Sequence, residues 1–225
     1  MNYFSTHSAF NDTIDSLKNE FKDDKSNTVI VFGSQHIPFS EFCSLKEKYD
    51  KIIVFQMEPL TTQQKIIWSS SGQNIDKNYF AWLKHADEVW DYDEQNFEIL
   101  NLIRPDVKLH TLKPYKNWNL YPPVEKDIDI LFYGVMNEHR SIIINELKKR
   151  HNVVVLTDCW NQNLLDQYIL RSKILLNLHY YYDAACQEQA RMIRWIGAPC
   201  RIVSEKSHKN YLNVEEFDYE DLVKI

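Results

Sequence analysis

A carboxylate and an arginine stand three residues apart in the stretch QEQARMIRWIGAPCRIVSE, residues 187–205. Its apolar spacing predicts a helix over residues 185–196, on which Glu188, Arg191 and Trp195 lie on nearly one stripe. Such a pair is either an ordinary solvated ion pair or a ligand site. A carboxylate suits the paired hydroxyls of a ribose, and an arginine suits phosphate. Spacing alone leaves both interpretations open.

A second candidate ligand site is the loop that follows the apolar run DILFYG. Gly134 ends this predicted strand, and Arg140 falls in the first turn of the helix predicted after it. At the carboxyl ends of strands in open α/β folds, helix N-termini present free amides to phosphates, and glycine permits close approach of the backbone. An arginine there can neutralise a diphosphate. The plain alternative is a tight turn beside a surface arginine.

Polar residues also follow two predicted strands near the N-terminus. Ser34, Gln35 and His36 come after the first of them, and Glu58 comes after the next. His36 or Glu58 could act as a base toward an acceptor hydroxyl, and His36 could also merely orient one. Either residue could equally be ordinary polar surface.

Asp91 and Asp93 form a D-x-D pattern, which could hold Mg²⁺ or Mn²⁺ against a diphosphate. Asp91 ends a predicted strand, however, and Asp93 suits the N-cap of the helix after it. The same pattern recurs at Asp127 and Asp129. We therefore expect helix capping rather than a metal site.

Short β-rich runs alternate with longer amphipathic segments through nearly the whole chain. The runs predict strands over residues 27–32, 51–56, 87–92, 107–112, 127–133, 152–156, 172–178 and 200–204. The segments predict helices over residues 8–22, 39–49, 62–70, 76–85, 94–103, 138–150, 161–170 and 185–196. Short apolar runs suit strands buried on both faces, and the alternation predicts parallel sheets with right-handed crossovers.

The proline-rich segment LKPYKNWNLYPPVEKDID, residues 112–129, interrupts this pattern. It divides the chain into two halves with four strand candidates each. We therefore predict an α/β protein of two Rossmann-like halves that face each other across a cleft. The predicted domains are residues 1–115 and 116–225.

Charge and composition narrow the class of protein. The net charge of −6 is far from the basic field of a dedicated nucleic-acid binder. The four cysteines are widely spaced, which indicates reduced, mostly buried thiols of a cytosolic protein. No apolar run approaches the length of a membrane span, and no signal-peptide pattern is visible. Neither half opens with the G-x-G-x-x-G loop of dinucleotide enzymes.

The segment KILLNLHYYYDAACQEQARMIRWIGAPCRIVSE resembles the C-terminal half of compact GT-B glycosyltransferases of phage, viral and bacterial type. The segments DILFYGVMNEHRSIIINEL, IIVFQMEPL and ADEVWDYDEQNFEIL are similar to further parts of that family. Gln56 and Pro59 stand where the family usually has Asn and Gln. The resemblance extends over about residues 28–222.

The resemblance implies transfer of a sugar from a nucleotide-sugar, most simply a UDP-sugar, that is held by the C-terminal domain. It assigns nine residues to donor binding: Gly134, Asn137, Arg140, His179, Tyr180, Glu188, Arg191, Ser204 and Glu205. The acceptor side is assigned to the N-terminal domain, with Ser34, Gln35, His36 and Glu58. The expected catalytic residues are His36, Glu58, Arg140 and Arg191. The two arginines would neutralise the departing diphosphate, so neither a metal ion nor another cofactor is expected.

The acceptor hypothesis is 5-hydroxymethylcytosine in phage DNA, because the chain's composition resembles large-phage proteins and phage DNA glycosyltransferases use this architecture. The acidic N-terminal half favours the alternative, a surface or lipid-linked glycan. A non-catalytic nucleotide-sugar binding module would have the same fold, and donor hydrolysis distinguishes it from an enzyme. The expected location is the cytoplasm, that of the host if the chain is phage-encoded.

Overall fold

The computed structural model describes residues 1–60, 75–157, 159, 161–181 and 185–225, and only the backbone of residues 75–77. The chain divides into two compact units, Met1–Lys113 and Pro114–Ile225, here called the N-terminal unit and the C-terminal unit. The helix predicted over residues 62–70 lies outside the described residues.

Five parallel strands form the sheet of the N-terminal unit, in the order β1-β2-β3-β4-β5. They are β1 (Asn2–Phe4), β2 (Thr28–Phe32), β3 (Lys51–Gln56), β4 (Glu88–Asp91) and β5 (Lys108–Leu109). The described helices of this unit are α1 (Asn11–Glu20), α2 (Ser40–Lys48), α3 (Ile75–His85) and α4 (Phe97–Leu100). Because spatial order follows chain order, each strand is added on the same side of the one before it.

Both faces of this sheet are covered. Val29 and Val31 of β2 pack in one core cluster with Trp82 of α3. Phe32 points to the opposite face, since side chains alternate along a strand, and its ring centroid lies 6.3 Å from that of Phe10. Burial on both faces explains why the sequence of β2 is almost continuously apolar.

Five parallel strands also form the sheet of the C-terminal unit, in the order β10-β9-β8-β6-β7. They are β6 (Ile128–Tyr133), β7 (Val153–Leu156), β8 (Ser172–Asn177), β9 (Arg201–Glu205) and β10 (Glu215–Phe217). The described helices are α5 (Glu138–Leu147), α6 (Gln162–Arg171), α7 (Gln189–Met192) and α8 (Tyr219–Leu222). The chain places β7 on one side of β6 and β8 on the other. The strand order therefore reverses at β6, which makes a topological switch point between β6 and β8.

Helices cover both faces of the second sheet as well. Leu165 and Ile169 of α6 pack in a core cluster with Trp195. Ile143 of α5 packs with Leu222 of α8 in a separate cluster. Two parallel sheets covered in this way are consistent with a Rossmann-like α/β fold.

All eight predicted strands are present, which confirms the α/β class. The strand predicted over residues 107–112 shortens to Lys108–Leu109, and the helix predicted over residues 94–103 becomes a 3-10 turn followed by α4. Among the strands and α-helices of the described residues, β1, β10 and α8 were not predicted.

The helix predicted over residues 185–196 is wrong in extent, because the α-helix there is only Gln189–Met192. Glu188 precedes it with a ψ of 63°, outside the helical region. The Gln187 side chain donates to Asn210 at 2.8 Å and accepts from the backbone N–H of Leu212 at 2.9 Å. These contacts hold the segment before α7 away from a helical path.

No helix in the described ranges combines the length and the apolar character that crossing a membrane requires. The four cysteines are free thiols. Cys186 is buried, Cys159 and Cys200 are half-buried and Cys43 is exposed. The prediction of mostly buried thiols is therefore wrong.

Candidate functional site

Gly134 lies at the switch point of the C-terminal unit, directly after β6. Its φ is +147°, a backbone conformation that residues with side chains rarely adopt. A Cβ atom at this position would lie 3.0 Å from Nη2 of Arg191. Glycine is therefore favoured at this position for two reasons: it tolerates the positive φ, and it leaves room for the guanidinium of Arg191.

Asn137 ties the start of α5 to the loop after β8. Its side-chain oxygen accepts a hydrogen bond from the backbone N–H of Arg140 at 2.9 Å, which caps the helix. Its side-chain nitrogen donates to the carbonyl of Tyr180 at 2.6 Å. One amide thus fixes the helix N-terminus against the chain that leaves β8.

Arg140 is almost fully buried, with 1% of its surface exposed. Its Nη1 donates to the Val135 carbonyl at 2.6 Å, and its Nη2 donates to the Leu178 carbonyl at 2.7 Å and to Glu188 at 2.8 Å. Its Nε is shared between the carbonyls of Leu178 and His179. Burial lowers the pKa of Arg140 to about 10, so the guanidinium still carries its charge at neutral pH.

Glu188 bridges two arginines. Its Oε1 lies 2.8 Å from Nη2 of Arg140, and its Oε2 lies 2.5 Å from Nη2 of Arg191. Burial by itself raises the pKa of Glu188, but the charges of Arg191 and Arg140 lower it by more than burial raises it. The pKa of Glu188 therefore lies below its ordinary value. The pair predicted from the sequence exists, but its two side chains are half-buried and belong to a cluster with the buried Arg140, so it is not a solvated ion pair.

Trp195 does not share the stripe predicted for Glu188 and Arg191. It is fully buried, and its Nε1 donates to the hydroxyl of Tyr133 at 2.7 Å. The break in the helix after Met192 accounts for this difference.

Arg191 keeps unused donors. Its Nη1 donates to the side-chain oxygen of Asn177 at 3.0 Å, and its Nη2 pairs with Glu188. A guanidinium carries five N–H groups. Within the described part of the chain, the Nε–H and one N–H on each terminal nitrogen of Arg191 have no partner. Arg191 is thus oriented by two contacts and still able to bind an anion.

The end of β9 supplies Ser204 and Glu205. The hydroxyl of Ser204 accepts from the side-chain nitrogen of Asn177 at 2.9 Å. One carboxylate oxygen of Glu205 accepts from the His179 backbone N–H at 2.9 Å, and the other lies 2.7 Å from Nε2 of His139. His139 was not predicted, and no spacing in the sequence distinguishes it from a surface residue of α5.

Together these contacts place all nine predicted donor-site residues at the carboxyl ends of β6, β8 and β9 or in the segments that follow them. Two arginines share one carboxylate, and the N-terminus of α5 adds partial positive charge. The group is therefore suited to an anion such as a diphosphate.

Arg194, by contrast, takes no part in this group. Its guanidinium is buried and donates to Asp166 at 2.9 Å and to the hydroxyl of Tyr115 at 3.0 Å. Lys116 also pairs with Asp166, at 2.5 Å. These contacts anchor the proline-rich segment to the C-terminal unit.

The four residues predicted on the acceptor side lie after β2 and β3 of the N-terminal unit. Ser34 and Gln35 are buried, Glu58 is half-buried and His36 is exposed. Nε2 of Gln35 donates to Oε1 of Glu58 at 2.9 Å. Although His36 is exposed, the protein around its ring partly desolvates it, and this desolvation, followed by the neighbouring His7, lowers the pKa of His36. No contact in the described residues joins the His36 side chain to Glu58.

Gln56 holds the backbone of Glu58 at two points. Its Oε1 accepts from the Glu58 N–H at 2.7 Å, and its Nε2 donates to the Glu58 carbonyl at 2.7 Å. The same Nε2 donates to Asp91 at 2.9 Å, and the hydroxyl of Tyr79 donates to Oε1 at 2.9 Å. The residue that departs from the resembled family thus has a defined structural role.

Asp91 is fully buried and accepts from Asn96 at 2.9 Å and from the Asp93 backbone at 2.8 Å. Burial raises the pKa of Asp91 to about 7, because desolvation outweighs these hydrogen bonds and the one from Gln56. The Asp93 side chain accepts from the backbone of Gln95 at 3.0 Å, which confirms its predicted capping role. In the described ranges, no group of three His, Cys, Asp or Glu residues is placed to hold a metal ion.

The fold and this site define an α/β protein with two parallel sheets and a cationic switch point in the second. No family model matches the chain. It is similar to two proteins of Acanthamoeba polyphaga mimivirus: 31% identical over 183 residues to "Uncharacterized protein L140" and 27% identical over 206 residues to "Uncharacterized protein L137". These matches cover 77% and 86% of the chain, but it spans 55% and 26% of the respective relatives.

Among solved structures, the chain is similar to one in the "Glycosylation Associate Protein (Gap123) complex from Streptococcus agalactiae". The TM-score is 0.42 at 11% identity, over 95% of this chain and 50% of that one. A likeness at this level assigns no activity.

Proposed function

We propose that the protein is a GT-B-type glycosyltransferase, with the donor nucleotide-sugar on the C-terminal unit and the acceptor hydroxyl on the N-terminal unit. The observation that carries the proposal is Arg191. It lies against Gly134 at a topological switch point, is oriented by Asn177 and Glu188, and keeps unused N–H groups. Ligands of open α/β sheets bind at such points. The motif resemblance supports the same assignment.

The two arginines have different roles in this proposal. Arg140 spends nearly all its donors on Val135, Leu178, His179 and Glu188, so it supplies charge and holds the strand ends. Arg191 contacts the diphosphate directly. This division refines the sequence-based hypothesis, in which both arginines had the same function.

The reaction needs a proton acceptor and a stabilised leaving group. The acceptor oxygen forms a bond to the anomeric carbon, the bond from that carbon to the diphosphate oxygen breaks, and its electron pair leaves with the nucleoside diphosphate. Arg191 stabilises the charge that develops on this group. The proton of the acceptor hydroxyl passes to a carboxylate, for which Glu58 is the candidate.

Calorimetry with UDP and a panel of UDP-sugars, followed by measurement of UDP release, tests the proposal. We expect binding by the wild-type protein and a loss of about 10- to 100-fold in affinity in Arg191→Ala, the cost of one or two charge-assisted hydrogen bonds. Chelation of divalent ions should not reduce UDP release. The matched control is Arg171→Ala, since Arg171 is an exposed residue paired with Asp127 and should leave affinity unchanged.

Two results would contradict the proposal. Equal UDP affinity in Arg191→Ala and wild type would remove the assignment of the diphosphate to Arg191. Tight binding of UDP-sugars without any release of UDP, with or without acceptor, would identify a binding module instead of an enzyme.

A further inference from the structure

We infer that Ser204 is a positioning residue for Arg191: its hydroxyl orients the side-chain amide of Asn177, and that amide holds the guanidinium of Arg191. The motif resemblance counts Ser204 among the donor-binding residues, and the inference makes that role indirect. It rests on the proposed function, because it takes Arg191 as the residue that binds the diphosphate.

The strand register places Ser204 beside Asn177. The two residues are opposite each other on the neighbouring parallel strands β9 and β8, so their side chains lie on the same face of the sheet. Leu175, two residues before Asn177, packs on that face in one core cluster with Met192 of α7. Arg191 precedes Met192, so α7 brings its guanidinium over the end of β8. Asn177 and Ser204 are both fully buried.

Four groups form one chain of hydrogen bonds with a fixed direction. Nη1 of Arg191 donates to Oδ1 of Asn177 at 3.0 Å, and Nδ2 of Asn177 donates to Oγ of Ser204 at 2.9 Å. The hydroxyl of Ser204 in turn donates to the carbonyl of Glu205 at 2.8 Å. A guanidinium can only donate and a carbonyl can only accept, so the two end groups set the direction of every bond between them.

The hydroxyl of Ser204 therefore decides how the amide of Asn177 faces. Its single hydrogen is used by the Glu205 carbonyl, so toward Asn177 the hydroxyl oxygen can only accept. The amide nitrogen must face Ser204, which leaves the amide oxygen toward Arg191. With the amide reversed, N–H groups would face each other at Arg191, and two oxygens without a hydrogen between them would meet at Ser204.

The contact with Asn177 matters because Glu188 alone does not fix the plane of the Arg191 guanidinium. Glu188 holds Nη2, and Asn177 holds Nη1. Contacts on two different nitrogens set the plane of the guanidinium, and with it the direction of the N–H groups that remain for an anion. A group already held in its binding geometry loses less conformational entropy when the ligand arrives. Ser204 thus contributes to affinity for the diphosphate without contacting it.

A double-mutant cycle of UDP affinity, measured by calorimetry on the full chain, tests the inference. We expect Ser204→Ala and Asn177→Ala each to weaken UDP binding by about 5- to 10-fold, the effect of one lost hydrogen bond. In the Asn177→Ala or the Arg191→Ala background, Ser204→Ala should cause no further loss, because nothing remains for the hydroxyl to orient. A role of Ser204 in the fold alone would not depend on the background in this way.

The matched control is Ser172→Ala. Ser172 is also fully buried, and its hydroxyl also donates to a backbone carbonyl, that of Tyr168 at 2.6 Å, but it opens β8 at the opposite edge of the sheet. Thermal unfolding should show that both serine variants lose stability, and calorimetry that only Ser204→Ala loses affinity for UDP. Ser204→Cys is a second variant that keeps the space filled and replaces the hydroxyl by a more weakly bonding thiol. It should weaken UDP binding as well.

Three results would each overturn the inference. They are unchanged UDP affinity in Ser204→Ala (or in Ser204→Cys if Ser204→Ala does not fold), a full further loss when Ser204→Ala is added to Asn177→Ala, and an equal loss in Ser172→Ala. Each can occur while Arg191→Ala loses affinity as the proposed function requires. A wild-type protein that does not bind UDP, or unchanged affinity in Arg191→Ala, would instead remove the proposed function and the inference with it.

Discussion

The carboxyl edges of the two sheets differ, although both sheets have five parallel strands. In the N-terminal unit the strand order follows the chain, and the edge carries carboxylates bound by amides. In the C-terminal unit the order reverses at β6, and the edge carries two arginines around one carboxylate. The comparison indicates that the edge suited to an anion belongs to the sheet whose order reverses, as the general rule for open α/β sheets predicts.

The fully buried Asp91 at the first edge and the half-buried Glu188 at the second show how the electrostatics of the two edges differ. The partners described for Asp91 are neutral donors, and its pKa rises to about 7. Glu188 lies between two guanidinium groups, and its pKa falls below the ordinary value. Neutral hydrogen bonds therefore do not compensate for desolvation at the first edge, whereas full charges do at the second.

Replacing Glu188 and Asp91 by the corresponding amides should lower protein stability by different amounts, which makes this the largest expected difference between the two edges. We expect Glu188→Gln to lower the free energy of unfolding by about 3 kcal/mol, because it leaves the buried Arg140 and the half-buried Arg191 without a counter-charge. Asp91→Asn should cost less, about 1–3 kcal/mol, because the new amide N–H₂ faces other donors. Hydrogen exchange of segments from each unit measures both effects.

The control for this prediction is Glu146→Gln, which removes an exposed pair with Lys149 and should cost at most about 1 kcal/mol. A greater loss of protection in Asp91→Asn than in Glu188→Gln would show that the comparison assigns the charges wrongly.

Gly134→Ala should weaken UDP binding by about 10-fold or more, because the new Cβ lies 3.0 Å from Arg191 and adds backbone strain of about 1–3 kcal/mol. Gly197→Ala is the matched control. Gly197 also has a positive φ, of +84°, but its nearest neighbour is Cδ1 of Trp118 at 3.8 Å. Calorimetry and thermal unfolding should show that both variants lose stability and that Gly134→Ala alone loses affinity. An equal loss of affinity in both variants would assign the effect to strain.

The smallest expected effect is a change with pH in the stability of the N-terminal unit, caused by titration of Asp91 at the carboxyl edge of its sheet. In the unfolded chain an aspartate has a pKa of about 3.9, whereas folded Asp91 titrates at about 7. Lowering the pH from 8 to 6 therefore adds a proton to the folded state alone and stabilises the N-terminal unit by about 1 kcal/mol. That contribution is lost again as the pH rises through 7. Glu188, with its lowered pKa, loses its contribution only as the pH falls below about 4.3.

Hydrogen exchange around β4 at both pH values, corrected for intrinsic rates, measures this response. Burial lowers the pKa of His110, which titrates nearby in both wild type and Asp91→Asn. The difference between the two proteins therefore isolates Asp91. The same pH response in Asp91→Asn would rule out Asp91 as its source.

The sequence predicts the strands well because their burial on two faces leaves a local apolar signal. The missed strands Asn2–Phe4 and Glu215–Phe217 are three residues long, lie at sheet edges and lack such a run. The segment before α7 was predicted as helix because its apolar spacing is helical. Contacts of Gln187 with Asn210 and Leu212, which are distant in the sequence, determine its actual path.

The candidate site shows the same limit. Glycine after a strand and arginine in the next helix indicate Gly134 and Arg140, and the structure brings them together. The difference between the contacts of Arg140 and those of Arg191 depends on which carbonyls surround Arg140, and no local spacing contains that information. The same is true of Gln56, whose type gives no sign that it holds the backbone of Glu58.

Asn137 has a consequence for which residues this position can accept. Serine and aspartate are as good as asparagine at ordinary helix starts, and either could replace the oxygen that receives the Arg140 N–H. An ionised aspartate has no hydrogen to donate to the Tyr180 carbonyl, and serine has one short hydroxyl in place of the separate amide oxygen and nitrogen that make the two contacts of Asn137. Evolutionary drift among capping residues, harmless at most helices, would here detach the start of α5 from the chain that leaves β8.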